Sequence, residues 1–157
     1  MVVWVDADAC PAQIKEILFR AAERTRVQTV LFANHALRVP KSRFVKAVQV
    51  ERGFDVADAR ILESLAAGDL VVTADVPLAA QVVAAGAFAL NPRGTLYTHD
   101  NVKEHLARRD FMDLLRSTGE ITRGPPALSK TDLQAFANGL DRFLQQNART
   151  APDGSKN

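Results

Sequence analysis

The sequence lacks several features that mark common protein classes. Its 157 residues contain a single cysteine, Cys10, which excludes a disulfide within the chain. Neither the GxGxxG pattern of dinucleotide-binding folds nor the GxxxxGK[ST] pattern of P-loop proteins is present. The histidines, His35, His99 and His105, do not have the spacing of a zinc site. These absences argue against a nucleotide-cofactor fold and a histidine zinc centre.

The chain also has little net charge and no long apolar run. Lys and Arg number 20 against 18 Asp and Glu, a formal charge of +2 that does not by itself demand an anionic partner. No apolar run approaches the roughly 18 residues of a membrane span. The first acid comes at position 6 with no basic stretch before it, so we expect no signal peptide. We therefore expect a cytoplasmic protein that does not enter the membrane.

What the chain does have is an alternation of short apolar runs and amphipathic segments. Runs at 2–5, 27–33, 45–50, 70–73 and 87–90 predict strands. Helices are predicted after the first, third and fourth runs, with Gly68 ending the central one, and a loop containing Pro40 is predicted after the second. Two longer amphipathic helices are predicted at 101–116 and 131–146. We expect residues 1–146 to form one α/β domain with a mostly parallel sheet of about five strands flanked by helices. The polar, aperiodic stretch 147–157 is predicted to be a disordered tail.

Acidic residues stand where strands end and helices begin. Asp6 and Asp8 follow the first strand, Asp55 and Asp58 open a central helix, and Asp75 comes after the fourth strand. The carboxyl ends of parallel strands open onto one crevice, where acids distant in sequence can meet. Carboxylate oxygens are the ligands that Mg²⁺ and Mn²⁺ prefer. The pattern predicts a metal site built from these five aspartates.

Each acid taken singly also has a structural interpretation. Asp is a preferred helix N-cap and a favourable first-turn residue. This interpretation applies to Asp8, Asp55, Asp58 and Asp75. It is weakest for Asp6, which follows a buried strand and has no evident helix to cap. Asp69, beside Gly68, is interpreted as a turn residue.

Other polar residues also follow predicted strands. Asn34 and Arg93 are predicted to bind substrate because their positions lie near the acidic crevice. The pair Arg108 and Arg109, like the basic residues between 38 and 46, either adds phosphate contacts or forms a solvated face. Cys10 is interpreted as a small buried or capping residue, because no histidine lies nearby in sequence to act as its base.

Longer motifs point to a known family. The stretches WVDADACP, GFDVADARI, GDLVVTADVPLAA, LNPRG, RRDFMDLLR and FANGLDRFL closely resemble the YaiI/YqxD family of bacterial proteins. The resemblance runs from residue 2 to about residue 144. That family is grouped with PIN-like domains, so the resemblance implies a three-layer α/β fold whose acids gather around Mg²⁺ or Mn²⁺. It also implies RNA as the usual substrate.

The resemblance can be carried over to individual residues. Asp6 resembles the PIN acid at the end of the first strand, Asp58 the mid-chain helical acid and Asp75 the third acid. Thr73 is similar to the hydroxyl residue of the Thr/Ser-x-Asp motif, which helps to orient the metal site. PIN nucleases often have another acid shortly after this motif, whereas residues 76–78 are Val, Pro and Leu here. Either Asp8 or Asp55 is a candidate substitute.

The leading hypothesis is therefore a metal-dependent nuclease acting on phosphodiesters, with RNA as the expected partner. Its catalytic residues are Asp6, Asp8, Asp58 and Asp75, and Arg93 steers the backbone. One alternative is a haloacid-dehalogenase-like phosphatase, in which Asp6 is the nucleophile and Asp8 the general acid/base. A second alternative is a non-catalytic module that binds a metal or a nucleic acid.

Overall fold

The computed structural model describes residues 1–53, 55–120 and 127–148 of the chain. Its strands are β1 (Val2–Asp6), β2 (Gln28–Ala33), β3 (Val45–Gln49), β4 (Leu70–Val72), β5 (Phe88–Leu90) and β6 (Leu96–Tyr97). They form one sheet in the order β3-β2-β1-β4-β5-β6. Neighbours from β3 to β5 pair in parallel, and β6 pairs antiparallel with β5. β1 and β4 thus lie at the centre, where both faces are covered.

Five helices cover the two faces of this sheet. They are α1 (Ala12–Thr25), α2 (Val56–Ser64), α3 (Val76–Ala84), α4 (Val102–Ser117) and α5 (Lys130–Ala148). One core lies beneath α1 and α5 and includes Ile14 and Phe136. The other lies beneath α2, α3 and α4 and includes Ile61 and Leu78. The protein is a three-layer α/β structure, as the sequence and its PIN-like resemblance predict.

The central strands explain why the helices divide in this way. Successive side chains of a strand point to opposite faces. In β1, Val3 and Val5 enter the core beneath α1 and α5, whereas Trp4 packs against the other core. In β4, Val72 enters the first core and Val71 the second. A strand that is apolar on both faces is typical of a parallel sheet covered by helices on each side.

The predicted elements agree with the structure except in two places. The five predicted strands are present, but the prediction missed β6, because two residues are too few to carry a periodic signal. Gly68 was expected to end the central helix, yet α2 ends at Ser64. Gly68 instead has a φ of 89° in the turn that leads into β4. The connection between α2 and β4 is therefore longer than the sequence pattern predicted, and the helix is shorter.

The end of α5 bears on the predicted tail. α5 extends through Asn147 to Ala148, two residues that the sequence pattern assigned to the tail. The rest of the predicted tail, 149–157, lies outside the described residues. Within the ranges that are described, none of the helices combines the length and the apolar character needed to cross a bilayer.

Candidate metal centre

The carboxyl ends of β1 and β4 bring Asp6 and Thr73 together. The sheet register pairs Val5 with Val72, so the next residue of each chain segment lies beside the other. The Thr73 hydroxyl donates a hydrogen bond to Oδ2 of Asp6 at 3.1 Å. The same hydroxyl oxygen accepts the backbone N–H of Asp75 at 3.0 Å. Thr73, which is fully buried, therefore links the first acid to the third.

Asp75 combines a structural role with its position beside this link. Its Oδ1 accepts the backbone N–H of Leu78 at 3.0 Å, which caps the N-terminus of α3. Capping satisfies an amide that the helix itself cannot pair. The capping interpretation of Asp75 is thus confirmed, and the same bond fixes the carboxylate at the crevice.

The central helix contributes the other two acids. Asp58 lies in the first turn of α2, and Asp55 precedes that helix with a φ of 62°. Asp55 makes no capping hydrogen bond through its side chain, so the prediction that it caps the helix is wrong. An N-cap residue normally has extended backbone, and the left-handed conformation of Asp55 departs from that geometry. Carboxylate oxygens of Asp55, Asp58 and Asp75 all lie within 4.8 Å of one another.

Crowding changes the acidity of this group. Burial, followed by the negative charges of Asp75, Asp6 and Asp55, raises the pKa of Asp58 to about 7. Burial also raises the pKa of Asp6; the hydrogen bond from Thr73 opposes that shift, and the charge of Asp75 adds to it. Besides burial, like charges therefore make ionisation of Asp58 and Asp6 more costly, which is the effect expected of carboxylates in a shared site.

The donor set fits a hard divalent cation. Mg²⁺ binds oxygen ligands at about 2.1 Å, so ligands on opposite sides of the ion lie about 4 Å apart. The 4.8 Å limit on the oxygens of Asp55, Asp58 and Asp75 is close to that span. A cation bound here would also offset the repulsion that, after burial, raises the pKa of Asp58.

Asp8 is directed away from the other acids. Its Oδ2 accepts the backbone N–H of Asn34 at 2.9 Å, and its Oδ1 lies 3.1 Å from Nδ1 of His35. Its negative charge still raises the pKa of Asp6. The predicted residues Asp8 and Asn34 are thus brought together at the end of β2. His35, whose spacing from the other histidines had indicated no zinc site, takes part in this polar contact.

One arginine lies beside Asp6 and Asp75. Arg109 of α4 lines an open cleft of about 390 Å³ together with Asp6 and Asp75, which we call the acidic cleft. Its guanidinium also pairs with Asp110 at 3.1 Å and Asp113 at 3.3 Å. From the sequence, Arg109 was one of many basic residues without a distinctive signal. The proximity of α4 to the end of β1 singles it out.

Arg93 forms an ion pair that the sequence did not predict. Its Nη1 donates to Oδ2 of Asp132 at 2.7 Å. Asp132 also accepts the backbone N–H of Ser129, while the Ser129 hydroxyl accepts the N–H of Asp132. This reciprocal pair caps α5, and the Ser-x-x-Asp spacing was a signal for it. The sequence had no signal for the contact with Arg93, which is 39 residues away.

Cys10 and Asp69 do not belong to the candidate metal centre. Burial raises the pKa of the Cys10 thiol to about 12, and the charge of Asp6 acts in the same direction. Such a thiol stays protonated at neutral pH, which supports its interpretation as a buried residue. Asp69 lies in the turn before β4, at the end of the sheet opposite the acids. It accepts the backbone N–H groups of Val2 and Ala66. Its interpretation as a turn residue is confirmed.

Comparison with known proteins identifies relatives over most of the chain. A UPF0178 protein of Alkalilimnicola ehrlichii is 62% identical over 147 residues, which cover 94% of this chain and 99% of the relative. A UPF0178 protein of Pseudoalteromonas translucida is 60% identical over 148 residues, covering 94% and 98%. No solved structure matches the chain significantly. Residues 4–146 match the family described as "Uncharacterized BCR, YaiI/YqxD family", and the chain belongs to that family.

Proposed function

We propose that the protein is a metal-dependent phosphodiesterase that cuts RNA with Mg²⁺ or Mn²⁺. The observation that carries the proposal is the convergence of Asp55, Asp58 and Asp75 within 4.8 Å, beside the buried Asp6. These acids come from the ends of β1 and β4 and from the start of α2. Acids gathered from separate elements at this edge of a parallel sheet are typical of a site for ligands or catalysis.

The chain's residues have distinct roles in this proposal. Asp55, Asp58 and Asp75 supply ligand oxygens, and Asp6 adds its carboxylate to the same cation. Thr73 keeps Asp6 and Asp75 in fixed relation through its two hydrogen bonds. A divalent cation supplies Lewis-acid stabilisation of charge on the phosphate and makes water a better nucleophile. Arg109 binds a phosphate oxygen at the acidic cleft, because exchanging its exposed ion pairs for a phosphate costs little.

Asp8 has a supporting role rather than that of a direct ligand. Its two oxygens are engaged by Asn34 and His35, so it orients the loop after β2 beside the crevice. This arrangement weakens the phosphatase alternative, in which Asp8 exchanges protons with a substrate bound at Asp6. Covalent trapping of an aspartyl phosphate on Asp6 is the result that would favour the phosphatase.

The test is cleavage of single-stranded and structured RNA with Mn²⁺ by the wild type, Asp6→Asn and Asp75→Asn. Asp141→Asn is the matched control, since Asp141 is half exposed and pairs with Arg24 on the other face of the sheet. We expect cleavage by the wild type and the control and at least a hundredfold loss in both site variants, a typical size for lost electrostatic stabilisation. Unchanged folding is checked by thermal unfolding. A wild type that never cuts, or site variants that cut normally, would overturn the proposal.

A further inference from the structure

A second cleft adjoins the acidic one. It has a volume of about 310 Å³, and its lining includes Pro11, Pro92, Arg93 and Leu128. Ala9 and Ala74 line both clefts, so the two share a boundary beside Asp6 and Asp75. We call the second one the apolar cleft, because most of its lining side chains carry no polar atom. An apolar surface next to carboxylates needs a ligand that has both apolar and charged parts.

The apolar cleft is framed by a rigid turn. Oδ1 of Asn91 accepts the backbone N–H groups of Arg93 and Thr95, at 2.9 and 3.0 Å. The turn packs so tightly on α5 that a Cβ at Gly94, whose φ is 94°, would lie 2.6 Å from the Ala135 carbonyl carbon. The turn therefore keeps its shape without a ligand, as binding clefts usually do.

The guanidinium of Arg93 lies in this cleft at a defined position. The ion pair with Asp132 at 2.7 Å restrains the guanidinium of Arg93, whose side chain is 34% exposed. A planar guanidinium stacks on flat rings and binds phosphate oxygens. The cleft thus combines apolar walls, a restrained cation and a border with a candidate metal centre. A volume near 310 Å³ is at the small end of ligand pockets, which suits one nucleoside better than a longer ligand.

We propose that the apolar cleft binds the base and sugar of the nucleotide whose phosphate is presented to the acidic cleft, and that Arg93 contacts that nucleotide. The inference rests on the proposed function, which it extends by naming what the site recognises. A base can enter such a cleft only when it is unpaired and unstacked. Recognition therefore requires a nucleoside as well as a phosphate, and it selects an accessible nucleotide over one within a duplex.

The experiment compares two ligands that share a sugar phosphate and differ in the base. Adenosine monophosphate and ribose 5-phosphate are titrated calorimetrically into the full chain with Mg²⁺. The variants are Leu128→Asn, which makes the cleft polar at similar side-chain size, and Arg93→Gln. Arg108→Gln is the matched control, because Arg108 is exposed, pairs with Glu104 and lines neither cleft within the described residues.

We expect the nucleotide to bind the wild type at least about fivefold more tightly than ribose 5-phosphate, from the usual size of base stacking. Leu128→Asn should remove most of that difference, and Arg93→Gln should weaken nucleotide binding while Arg108→Gln leaves it unchanged. Equal binding of the two ligands, or no saturable nucleotide binding, would overturn the inference. Should Leu128→Asn fail to fold, the ligand comparison on the wild type and Arg93→Gln still decides.

The outcomes also separate this inference from the proposed function. A wild type that does not cleave RNA but binds the nucleotide with a base preference that depends on Leu128 would refute the nuclease and support the subsite. A wild type that cleaves RNA but shows no base preference would support the nuclease and refute the subsite.

Discussion

Two buried aspartates lie at opposite ends of the central strands and differ in how many hydrogen-bond donors surround them. Asp69 is 4% exposed and accepts three N–H groups, from the backbone of Val2 and Ala66 and from the Trp4 indole, each at 2.9 Å. Asp6 is 8% exposed, accepts the Thr73 hydroxyl and is otherwise surrounded by the charges of other acids. A buried carboxylate is stable when donors satisfy it. Asp69 meets that condition within the fold, whereas Asp6 is the acid that a cation would complete.

The difference between the two aspartates is tested by neutralising each acid in turn. Asp6→Asn should lower Mn²⁺-dependent RNA cleavage at least a hundredfold with little loss of stability, since it removes a buried charge that faces like charges. Cleavage rates and thermal unfolding are measured on the same preparations. A variant that loses activity only because it unfolds would show that Asp6 resembles Asp69.

Asp69→Asn is the converse experiment. The substituted amide has one acceptor oxygen and so leaves at least one of the three donors facing an NH₂ group. We expect a loss of about 2 kcal/mol in the free energy of unfolding, the usual cost of an unsatisfied buried polar group. Urea denaturation measures this loss. Per molecule of folded protein, cleavage should remain near that of the wild type.

The acidic group should also make stability depend on pH. The folded pKa of Asp58 is raised from 3.8 to about 7, so the folded state holds a proton that the unfolded state releases above about pH 4. Stability should therefore fall as the pH rises from about 4 to 7 and then level off. Because Asp58 is partly exposed, we expect its share to be about 1 kcal/mol after solvent screening.

Urea denaturation of the wild type and Asp58→Asn across this pH range isolates the contribution of Asp58 to stability. The variant should gain stability relative to the wild type as the pH rises, and added Mg²⁺ should reduce the difference by offsetting the repulsion. A constant difference across the range would show that Asp58 ionises normally.

The last prediction separates two neighbouring arginines of α4. Arg109 lines the acidic cleft, whereas Arg108 is exposed and pairs with Glu104 at 3.8 Å. Arg109→Gln should raise the KM for RNA about five- to tenfold, as expected for one exposed charge-assisted contact to a phosphate. Arg108→Gln should change KM by less than about twofold. Equal effects of the two substitutions would indicate a general electrostatic surface instead of a specific contact.

The sequence predicted the layers and strands because their signals are local. The run 70–72 is apolar at every position, and that alone indicates a strand buried on both faces. The PIN-like resemblance then linked Asp6, Thr73 and Asp75, residues that the sheet register brings together. Strand β6 was too short to produce such a signal.

The direction of individual side chains was harder to predict. A carboxylate near a helix start is compatible with capping, metal binding or a loop contact, and these alternatives share one sequence pattern. Asp75 caps its helix, Asp55 does not, and Asp8 turns toward Asn34 and His35. The left-handed backbone at Asp55 is one reason, since it changes where the side chain points.

The sequence by itself determined the α/β class, the alternation of strands and helices and the presence of acids at strand ends, because these follow from hydrophobic periodicity and residue order. The tertiary structure decided which acid side chains converge, which turn elsewhere, and that Arg109 lines the cleft of Asp6 and Asp75. Contacts such as Arg93 with Asp132 and Thr73 with Asp6 join residues 39 and 67 positions apart. Their geometry depends on the register of the strands and on how the helices pack on the sheet, which no local pattern encodes.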